Sequence, residues 1–508
     1  MCMACSDRCS IGRTGVNRVF VLFANCRNKG ISRSGVMHTI LIGILLWSCV
    51  VLIHGPSAAL SSQDEAGQSL NANKTLERTW DPVIVENKDL QGVFDGEEIK
   101  SIGLYAYTAE GLRIIPFQID LIGEDGMVIP GYVNRVMKKA VYDFIPNKDR
   151  PTTLSGRYQV LFMTKDTGGR YPGTGIPEGF LKGCEIELRD PVNGGMGWVY
   201  LMKPQDGASC TSPADYVDYK LIKKDSQNNE QIKASHYVTG FPDANKPFAY
   251  GYWIIPENAG GTGVDILETF RVKMQLNILG MKLDLDPKNN IIPFVLSYND
   301  GPIRVTRRGY NSVVLGGLKM DWIAKGTKLE TESHYYSRYF YFDGEVSLPG
   351  FVKKISKINA FFTTDFTPKA TGLLWLNSVN TKNGGCLVDG IMSPEEVGLK
   401  QDPYQWSLMV GQQGGWANIL TMHSESMKSN MELFYLDDML YKDETEPSLN
   451  GTWASTGYSL KRIDKVEEKV TFRTNIFAIP RDFKVSDMKH LTDLVYQPVK
   501  VRIPRVFK

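Results

Sequence analysis

The chain has 508 residues, of which 42% are hydrophobic and 22% are charged, and its formal net charge is +2 at pH 7. This length allows two or three domains, and this composition is that of an ordinary globular protein. The small net charge gives no electrostatic argument for nucleic acid as a partner. The sequence also lacks the phosphate-loop, dinucleotide-binding, zinc-protease and nucleophile-elbow motifs, so these enzyme classes find no support in it.

An apolar run without charged residues occupies residues 39–53, with basic residues before it and the small residues 56–59 after it. This arrangement is typical of a secretory signal peptide, and we expect cleavage after Ala59. The alternative is an uncleaved membrane anchor, although the run is shorter than the roughly 20 apolar residues of a spanning helix. Residues 1–59 are thus interpreted as a leader and signal peptide, and the remainder as exported to the periplasm or the outer surface.

The region 80–214 is predicted to be a β-sandwich domain that follows a flexible polar linker over 60–79. Short runs rich in β-branched and aromatic residues alternate with turn signals, which is typical of such domains. The clearest strands are Leu112–Asp120 and Tyr158–Met163. A short helix is expected near Val133–Ala140.

The region 215–508 contains longer predicted strands, which are most economically arranged as a large two-sheet sandwich. Its most aromatic segment, Leu329–Phe342, is predicted to be one strand. The whole chain is therefore expected to be mostly β, with two β-sandwich-like domains and few helices.

Two short helices are expected in the second region. One includes Glu395–Val397, where Ser393 offers an N-cap and Pro394 fits the first helical position. The other is Asp487–Tyr496, with Ser486 as its cap and Pro498 after its end.

Three segments carry a resemblance to known proteins: Ile-Pro-Phe-Gln-Ile-Asp at 115–120, the run at 160–168, and Gly-Pro-Ile-Arg-Val at 301–305. On these motifs, residues 80–349 resemble a loose group of uncharacterised exported bacterial β-proteins, which supplies no catalytic residues. The region 215–508 also resembles, at the level of fold, the large β-sandwich domains of carbohydrate-active enzymes. A fold-level likeness does not establish an activity.

The first candidate site consists of Asp120, Asp166 and Arg170, which follow two predicted strands. Paired carboxylates serve as acid and base in glycoside cleavage when their separation is right. The alternative is turn chemistry, in which an aspartate at a strand end caps its own loop.

The second candidate site lies on the aromatic strand. If that strand is regular, His334, Tyr336 and Arg338 share one face by period-2 alternation. An arginine fork binds carboxylates, and histidine or tyrosine transfers protons, so a polysaccharide lyase would need such a set. The alternative is a polar outer sheet face. The candidate catalytic residues are His334, Tyr336, Arg338 and Arg304, with Asp300 and Tyr341 as ligand-binding neighbours.

Other candidates have weaker patterns. The aromatic residues Trp253 and Trp406 could stack on a sugar ring, or they could belong to the core. The acidic group Asp437, Asp438, Asp443 and Glu444 could bind Ca²⁺ or form a solvated turn, and no other cofactor is expected. Cys184 and Cys210 could pair in an oxidising compartment.

The sandwich pattern, the aromatic groups and the lack of a catalytic signature favour an exported protein that binds a carbohydrate or similar ligand. The alternative from another class is a polysaccharide lyase or glycosidase. A structural or assembly role in the cell envelope is a third hypothesis. No membrane contact is expected except through an uncleaved 39–53 segment.

We predict that the mature protein begins at Leu60, because the small residues before it suit signal peptidase. N-terminal sequencing of the protein recovered from the membrane-free fraction measures this. Recovery only in the membrane fraction, with residues 39–53 intact, would support the anchor instead.

Overall fold

Antiparallel strands dominate the structure, which is a computed structural model. The structure describes residues 73–136, 142–224, 227–241, 251–278, 280–285, 291–315, 318–319, 330–346, 356–381, 384–423, 430–442, 451–466 and 470–508. These residues contain 29 strands in five sheets and two short α-helices. The predicted mostly β fold with few helices is confirmed.

Two sheets are built mainly from the first third of the chain. Their strands are β1 Pro82–Glu86, β2 Gly103–Thr108, β3 Gly111–Ile114, β4 Gln118–Ile122, β7 Arg157–Met163, β8 Phe180–Arg189, β9 Met196–Pro204 and β29 Lys500–Phe507. The three-stranded sheet has the order β1-β7-β4, and the five-stranded sheet has the order β29-β8-β9-β2-β3. Apolar side chains of both sheets share one core, in which Val85, Leu104 and Val160 are fully buried or nearly so.

The longest sheet has twelve strands. They are β5 Tyr132–Asn134, β6 Phe144–Pro146, β16 Ile291–Asn299, β17 Val305–Leu315, β18 Leu318–Lys319, β19 Glu330–Tyr335, β20 Tyr339–Val346, β22 Leu374–Asn377, β23 Cys386–Leu387, β24 Trp406–Gly411, β25 Gly414–Met422 and β28 Val470–Ile479. Their order is β23-β22-β24-β25-β28-β20-β19-β17-β16-β5-β6, and β18 pairs with β17.

Two further sheets complete the architecture. Their strands are β10 Val217–Lys224, β11 Gln227–Ala234, β12 Val238–Phe241, β13 Tyr252–Ile254, β14 Leu267–Ile278, β15 Met281–Leu285, β21 Ser356–Phe366, β26 Met431–Leu436 and β27 Trp453–Leu460. The orders are β10-β11-β12-β13 and β15-β14-β21-β27-β26.

A large aromatic core lies between the second of these sheets and the twelve-stranded sheet. Ile358 of β21 and Leu460 of β27 belong to the same buried cluster as Phe340 of β20 and Trp416 of β25. Burial of large apolar side chains contributes roughly 1.5–3 kcal/mol each relative to exposure, so this interface is a principal source of stability. Two sheets that share one core are the arrangement expected of a sandwich.

The shorter helix, α1 Pro394–Val397, has the N-terminus that the sequence predicted. The Glu396 backbone N–H donates to Ser393 Oγ at 3.2 Å, and the Ser393 N–H donates to Glu396 Oε2 at 2.7 Å. This reciprocal capping box satisfies two backbone donors that a helix start leaves unpaired. Proline at the first helical position costs no hydrogen bond.

The longer helix, α2 Met488–Tyr496, also lies where it was predicted, but its cap differs. A 3-10 turn over Val485–Asp487 precedes it, and the Lys484 N–H donates to Asp487 Oδ2 at 3.0 Å. The Ser486 hydroxyl contacts Asp487 and does not cap the helix. The other 3-10 turns are Asn87–Leu90, Ile99–Ser101, Thr164–Asp166, Glu257–Ala259, Pro368–Ala370 and Ile463–Lys465.

The helix predicted near Val133–Ala140 is wrong at its start. Val133 lies in β5, where it pairs with Ile145 and Ser297, so its backbone is extended. Residues 137–140 lie outside the described part of the chain. Ladder hydrogen bonds on both sides of β5 outweigh a weak helical pattern in so short a segment.

Hydrogen-bonded strand pairs join the N-terminal and C-terminal parts of the chain. Strand β5 pairs with β16, and β29 pairs with β8. Residues Gln68–Lys508 group into one compact unit, and the proposed domain boundary after residue 214 stays a prediction. In the described ranges, no helix has the length and apolar character needed to cross a membrane. Cys184, Cys210 and Cys386 are free thiols, so the Cys184–Cys210 pairing is not formed.

Candidate functional site

A buried arginine lies where the three-stranded sheet meets the twelve-stranded sheet. Arg304 directly precedes β17, and Asp120 lies in β4. Arg304 Nη2 donates to Asp120 Oδ2 at 2.6 Å, and Arg304 Nε donates to the same oxygen at 3.1 Å. The side chains are 2% and 0% exposed, respectively. This ion pair therefore connects two sheets from distant parts of the sequence.

Amide side chains satisfy the remaining hydrogen-bonding groups of the pair. Asp120 Oδ1 accepts from Gln118 at 2.8 Å and from Asn299 at 2.9 Å. Arg304 Nη2 also donates to Gln159 at 3.0 Å. Burying an ion pair costs desolvation energy, which is recovered only when the other lone pairs and protons find partners. The geometry meets that condition.

Gln118 shapes the chain around the arginine. Its Oε1 accepts from the backbone N–H groups of Ile303 and Arg304 at 3.0 and 2.8 Å, and its Nε2 donates to the Arg304 carbonyl at 3.0 Å. A Cβ on Gly301 would lie 2.4 Å from the Gln118 amide, so only glycine fits there. The motifs at 115–120 and 301–305 are thus explained by one packing arrangement.

A histidine and a glutamate lie near this pair on β19. His334 Nε2 is 3.3 Å from Glu332 Oε2, and the His334 ring stacks on Tyr341 with centroids 4.6 Å apart. Tyr341 also stacks on Tyr336 at 6.1 Å, and the Tyr336 hydroxyl is 3.5 Å from Arg304 Nη1. The structure therefore brings together four of the predicted residues: Arg304, His334, Tyr336 and Tyr341.

Burial sets the protonation of this histidine–glutamate pair. It lowers the pKa of His334 well below its usual value, and the nearby positive charges of Arg304 and Arg473 lower it further. Burial raises the pKa of Glu332 to about 7, against the opposing effect of Arg308 and Arg304. His334 is therefore neutral at neutral pH, and Glu332 is near its titration midpoint. Such a pair can exchange a proton, and His334 Nδ1 is buried without a hydrogen-bond partner.

The expectation that Leu329–Phe342 forms one regular strand is wrong. Strand β19 ends at Tyr335, the chain turns at 336–338, and β20 returns alongside, with His334 opposite Tyr341. The period-2 argument therefore stops before Arg338. The Arg338 guanidinium lies over the Trp80 ring at 4.3 Å, and its carbonyl accepts from the Ala478 N–H.

The three residues of the first predicted site have three different partners. Asp120 binds Arg304, as described above. Asp166 accepts from the Tyr216 hydroxyl at 2.9 and 3.1 Å, and burial raises its pKa to about 6. Arg170 pairs with the buried carboxylate of Glu185 at 3.1 Å. These contacts join residues that are distant in the sequence, so they are not the loop capping that turn chemistry would give. Cooperative binding of one ligand by the three residues stays a prediction.

The other predicted ligand residues occupy both surface and core positions. Asp300 is exposed and accepts from the Tyr219 N–H at 3.2 Å. Trp406 is half-buried against an apolar cluster. Trp253 is fully buried, stacks on Tyr237 at 4.8 Å and donates to the Gly415 carbonyl, so the structure places it in the core.

The acidic group considered for Ca²⁺ is only partly described. Asp437 is fully buried and accepts from the backbone N–H groups of Asp389, Gly390 and Ala454 at 2.9–3.1 Å. Asp443 and Glu444 lie outside the described residues. Within the described ranges, no cluster of three or more metal-ligating side chains occurs. Three backbone donors give Asp437 a structural role as a loop cap.

Sequence reasoning missed Glu332, Gln118 and Gln159. Glu332 was detectable in principle, because it lies two residues before His334 and shares its face in a strand. Gln118 lies inside the motif at 115–120, but nothing in the sequence connects it with residues 301–304. Its role depends on a tertiary contact between strands that are more than 180 residues apart.

No protein-family model and no curated protein matches this sequence. Among solved structures, the chain is similar to a protein in the glycosyl hydrolase family 38 from Enterococcus faecalis, at 8% identity and a TM-score of 0.42, covering 86% of this chain and 47% of that one. It is also similar to a heparan sulfate lyase mutant from Pedobacter heparinus, at 6% identity and a TM-score of 0.26, covering 54% and 38%.

The chain spans about half the length, or less, of these two structures. At TM-scores below 0.5, neither similarity carries an argument about the activity of this chain.

We predict that Asp120→Ala lowers the free energy of unfolding by about 3–5 kcal/mol, because it leaves Arg304 buried without its counter-ion. Urea denaturation measures the loss. The matched control is Asp343→Ala, which removes the partner of Arg473 from an exposed ion pair and should cost less than about 1 kcal/mol. Equal losses in the two variants would show that the buried pair is not a special constraint.

We also predict a pH-dependent effect of Glu332→Gln. The folded protein keeps a proton on Glu332 up to about pH 7, whereas the unfolded chain releases it near pH 4.3. The wild-type free energy of unfolding should therefore fall, relative to the variant, as pH rises through this window, and the difference should then level off.

Denaturation of both proteins at several pH values tests this prediction. Glu432→Gln, which changes a half-exposed glutamate, is the matched control. A pH-independent difference between wild type and Glu332→Gln would mean that Glu332 titrates normally.

Proposed function

We propose that this chain is an exported protein that binds a carbohydrate or a similar ligand in the cell envelope without catalysing a reaction. The observation that carries the proposal is the burial of three of the four predicted catalytic residues. Arg304 and Tyr336 are almost completely inaccessible, and His334 is 8% exposed. Reactive groups that already have internal partners are poorly placed to act on a polymer.

The guanidinium of Arg304 already has partners inside the protein. An arginine that binds an acidic sugar needs its planar fork free for the sugar carboxylate. Here Nε and Nη2 are used by Asp120 and Gln159, and Nη1 faces the Tyr336 hydroxyl. Binding a substrate at this guanidinium would break a satisfied buried pair, which costs several kcal/mol.

Surface residues of the predicted ligand set support a binding role. Arg170 is 47% exposed on its side chain, and Asp300 is also exposed. Trp406 is half-buried and offers part of a ring to solvent. Aromatic rings and charged side chains of this kind bind sugars without a proton-transfer apparatus.

Export is part of the proposal and depends on the apolar segment 39–53 and its flanks. A compact, sheet-rich unit is compatible with a periplasmic or outer-surface protein. A structural role in the envelope is what would remain if no ligand bound.

The alternative function is a polysaccharide lyase or glycosidase, and the Glu332–His334 pair favours it. A neutral histidine next to a carboxyl group with a pKa of about 7 has the properties of a general base and a general acid at neutral pH. The pair would have to become accessible for this chemistry. That requirement makes binding the better-supported proposal.

We predict binding without product formation when the purified protein is tested on a glycan array and then incubated with the glycans that it retains. New reducing ends or unsaturated products would contradict the proposal and support the enzyme. In that case His334→Ala should reduce turnover by about 10²-fold or more, the usual contribution of general acid–base catalysis.

The matched control is His490→Ala, which changes an exposed histidine of α2 and should leave turnover unchanged. Full turnover in His334→Ala would remove the β19 histidine from any catalytic scheme. If the protein neither bound nor converted any glycan, the carbohydrate proposal itself would be contradicted.

A further inference from the structure

A positively charged cleft lies at the edge of the five-stranded sheet, away from the Arg304 pair. It has a volume of about 530 Å³, and its lining includes Arg189, Asp190, Asn193, Gly194, Lys500 and Arg502. This volume is within the range of about 300–1,000 Å³ that is usual for small-molecule sites. The cleft is formed by the end of β8, the turn that follows it and the start of β29.

The strand register concentrates positive charge in the cleft. Lys500 lies opposite Arg189 in the antiparallel pair of β29 with β8. Lys500 and Arg502 are exposed, whereas Val501 and Ile503 between and beyond them are half-buried against the core. Residues two apart on a strand share a face, so the three cations point to the same side of the sheet.

These cations have no counter-ion within the described residues. None of the three forms an ion pair with a described carboxylate, although Glu187 lies opposite Arg502 in the register. Like charges placed directly opposite in a sheet destabilise it. Even with Glu187 counted against them, the three cations leave an excess of positive charge.

The acid in the lining does not neutralise that excess. Asp190 is 3% exposed, and its carboxylate lies 3.5 Å from Arg78 and accepts from the Val192 N–H at 2.9 Å. Its charge is offset only in part, because Arg78 also pairs with Asp81. The cleft presents cations to solvent above a carboxylate that is already partnered.

The turn beneath the cations is fixed by its own hydrogen bonds. The Gly194 N–H donates to the Asp190 carbonyl at 2.9 Å, and the Gly195 N–H donates to Asn193 Oδ1 at 2.8 Å. These backbone donors are used, so recognition falls to side chains. The Asn193 amide nitrogen remains as a donor for a hydroxyl group beside the three cations.

We infer that this cleft binds the anionic groups, carboxylate or sulfate, of an acidic saccharide. The inference rests on the proposed function, which gives a saccharide as the ligand class. The cations of the cleft indicate that this saccharide is acidic. Arginine binds such groups through paired hydrogen bonds, and a ligand anion relieves the repulsion between Arg189 and Lys500. The ring hydroxyls of the same ligand can accept from Asn193.

Binding of dextran sulfate and of uncharged dextran, which share a backbone, tests the inference by titration calorimetry. We expect the full-length protein to bind only the sulfated polymer, with an affinity that falls as ionic strength rises. Arg189→Gln and Arg502→Gln should each weaken binding about tenfold, the effect of losing one charge-assisted hydrogen bond. Arg502→Lys, which keeps the charge but loses the paired hydrogen bonds, should weaken binding less than Arg502→Gln does.

The control is Arg157→Gln, which removes the same charge from an exposed position at the start of β7. Equal affinities for this control and the two cleft variants would overturn the inference, because the polymer would then bind to the protein surface in general. If inorganic sulfate bound in the cleft and dextran sulfate did not, the inference would also be overturned, because the ligand would then not be a saccharide.

The two proposals fail in different ways. Binding of a neutral glycan that is unchanged in Arg189→Gln and Arg502→Gln would end the inference about the cleft and leave the proposed function intact. Absence of binding to every charged and uncharged saccharide would end both.

Discussion

The burial of the Asp120–Arg304 ion pair is the constraint on which the arrangement of the sheets depends. Its two charges are removed from water, so the surrounding chain has to supply every remaining hydrogen bond. Gln118, Gln159 and Asn299 do so from three different strands. A displacement of the three-stranded sheet against the twelve-stranded sheet would therefore leave a buried charge unpaired.

That constraint also decides which side chains are available for function. Arginine, aspartate, histidine and tyrosine are the residues of acid–base and anion-binding sites, and the sequence places them close together around residues 300–341. In the structure Arg304, Tyr336, Tyr341 and His334 join Asp120 in an internal network that connects two sheets, whereas Asp300 is exposed and Arg338 lies over Trp80. Three exposed cations that form no ion pair with a described carboxylate lie elsewhere, at Arg189, Lys500 and Arg502. The degree of burial, which sequence patterns indicate only weakly, decides whether a charged side chain connects the sheets or is available to a ligand.

The sequence predicted those features that depend on local chemistry. Alternating β-branched and aromatic runs gave the mostly β fold, and Ser393, Pro394 and Glu396 carried enough information for α1 and its capping box. It could not predict that the chain would turn at 336–338, since aromatic residues continue through the turn. It could not match Asp120 with Arg304, which is 184 residues away. Gly301 was the one local trace of that contact, because its missing side chain leaves room for Gln118.

The contrast between the two groups of cations has a thermodynamic meaning. Arg304 stabilises the fold only because Asp120 is there, and its Nε and Nη2 donors are used inside the protein by Asp120 and Gln159. Arg189 of β8 and Lys500 of β29 lie opposite each other, and the repulsion between them lowers the stability of the folded chain. Exposure and screening by salt keep that cost small, so the sheet tolerates it. Neither cation forms an ion pair with a described carboxylate, so an external anion would relieve the repulsion and gain an ordered set of donors. This is why the charged edge of the sheet, and not the larger buried network, is the better place to look for recognition.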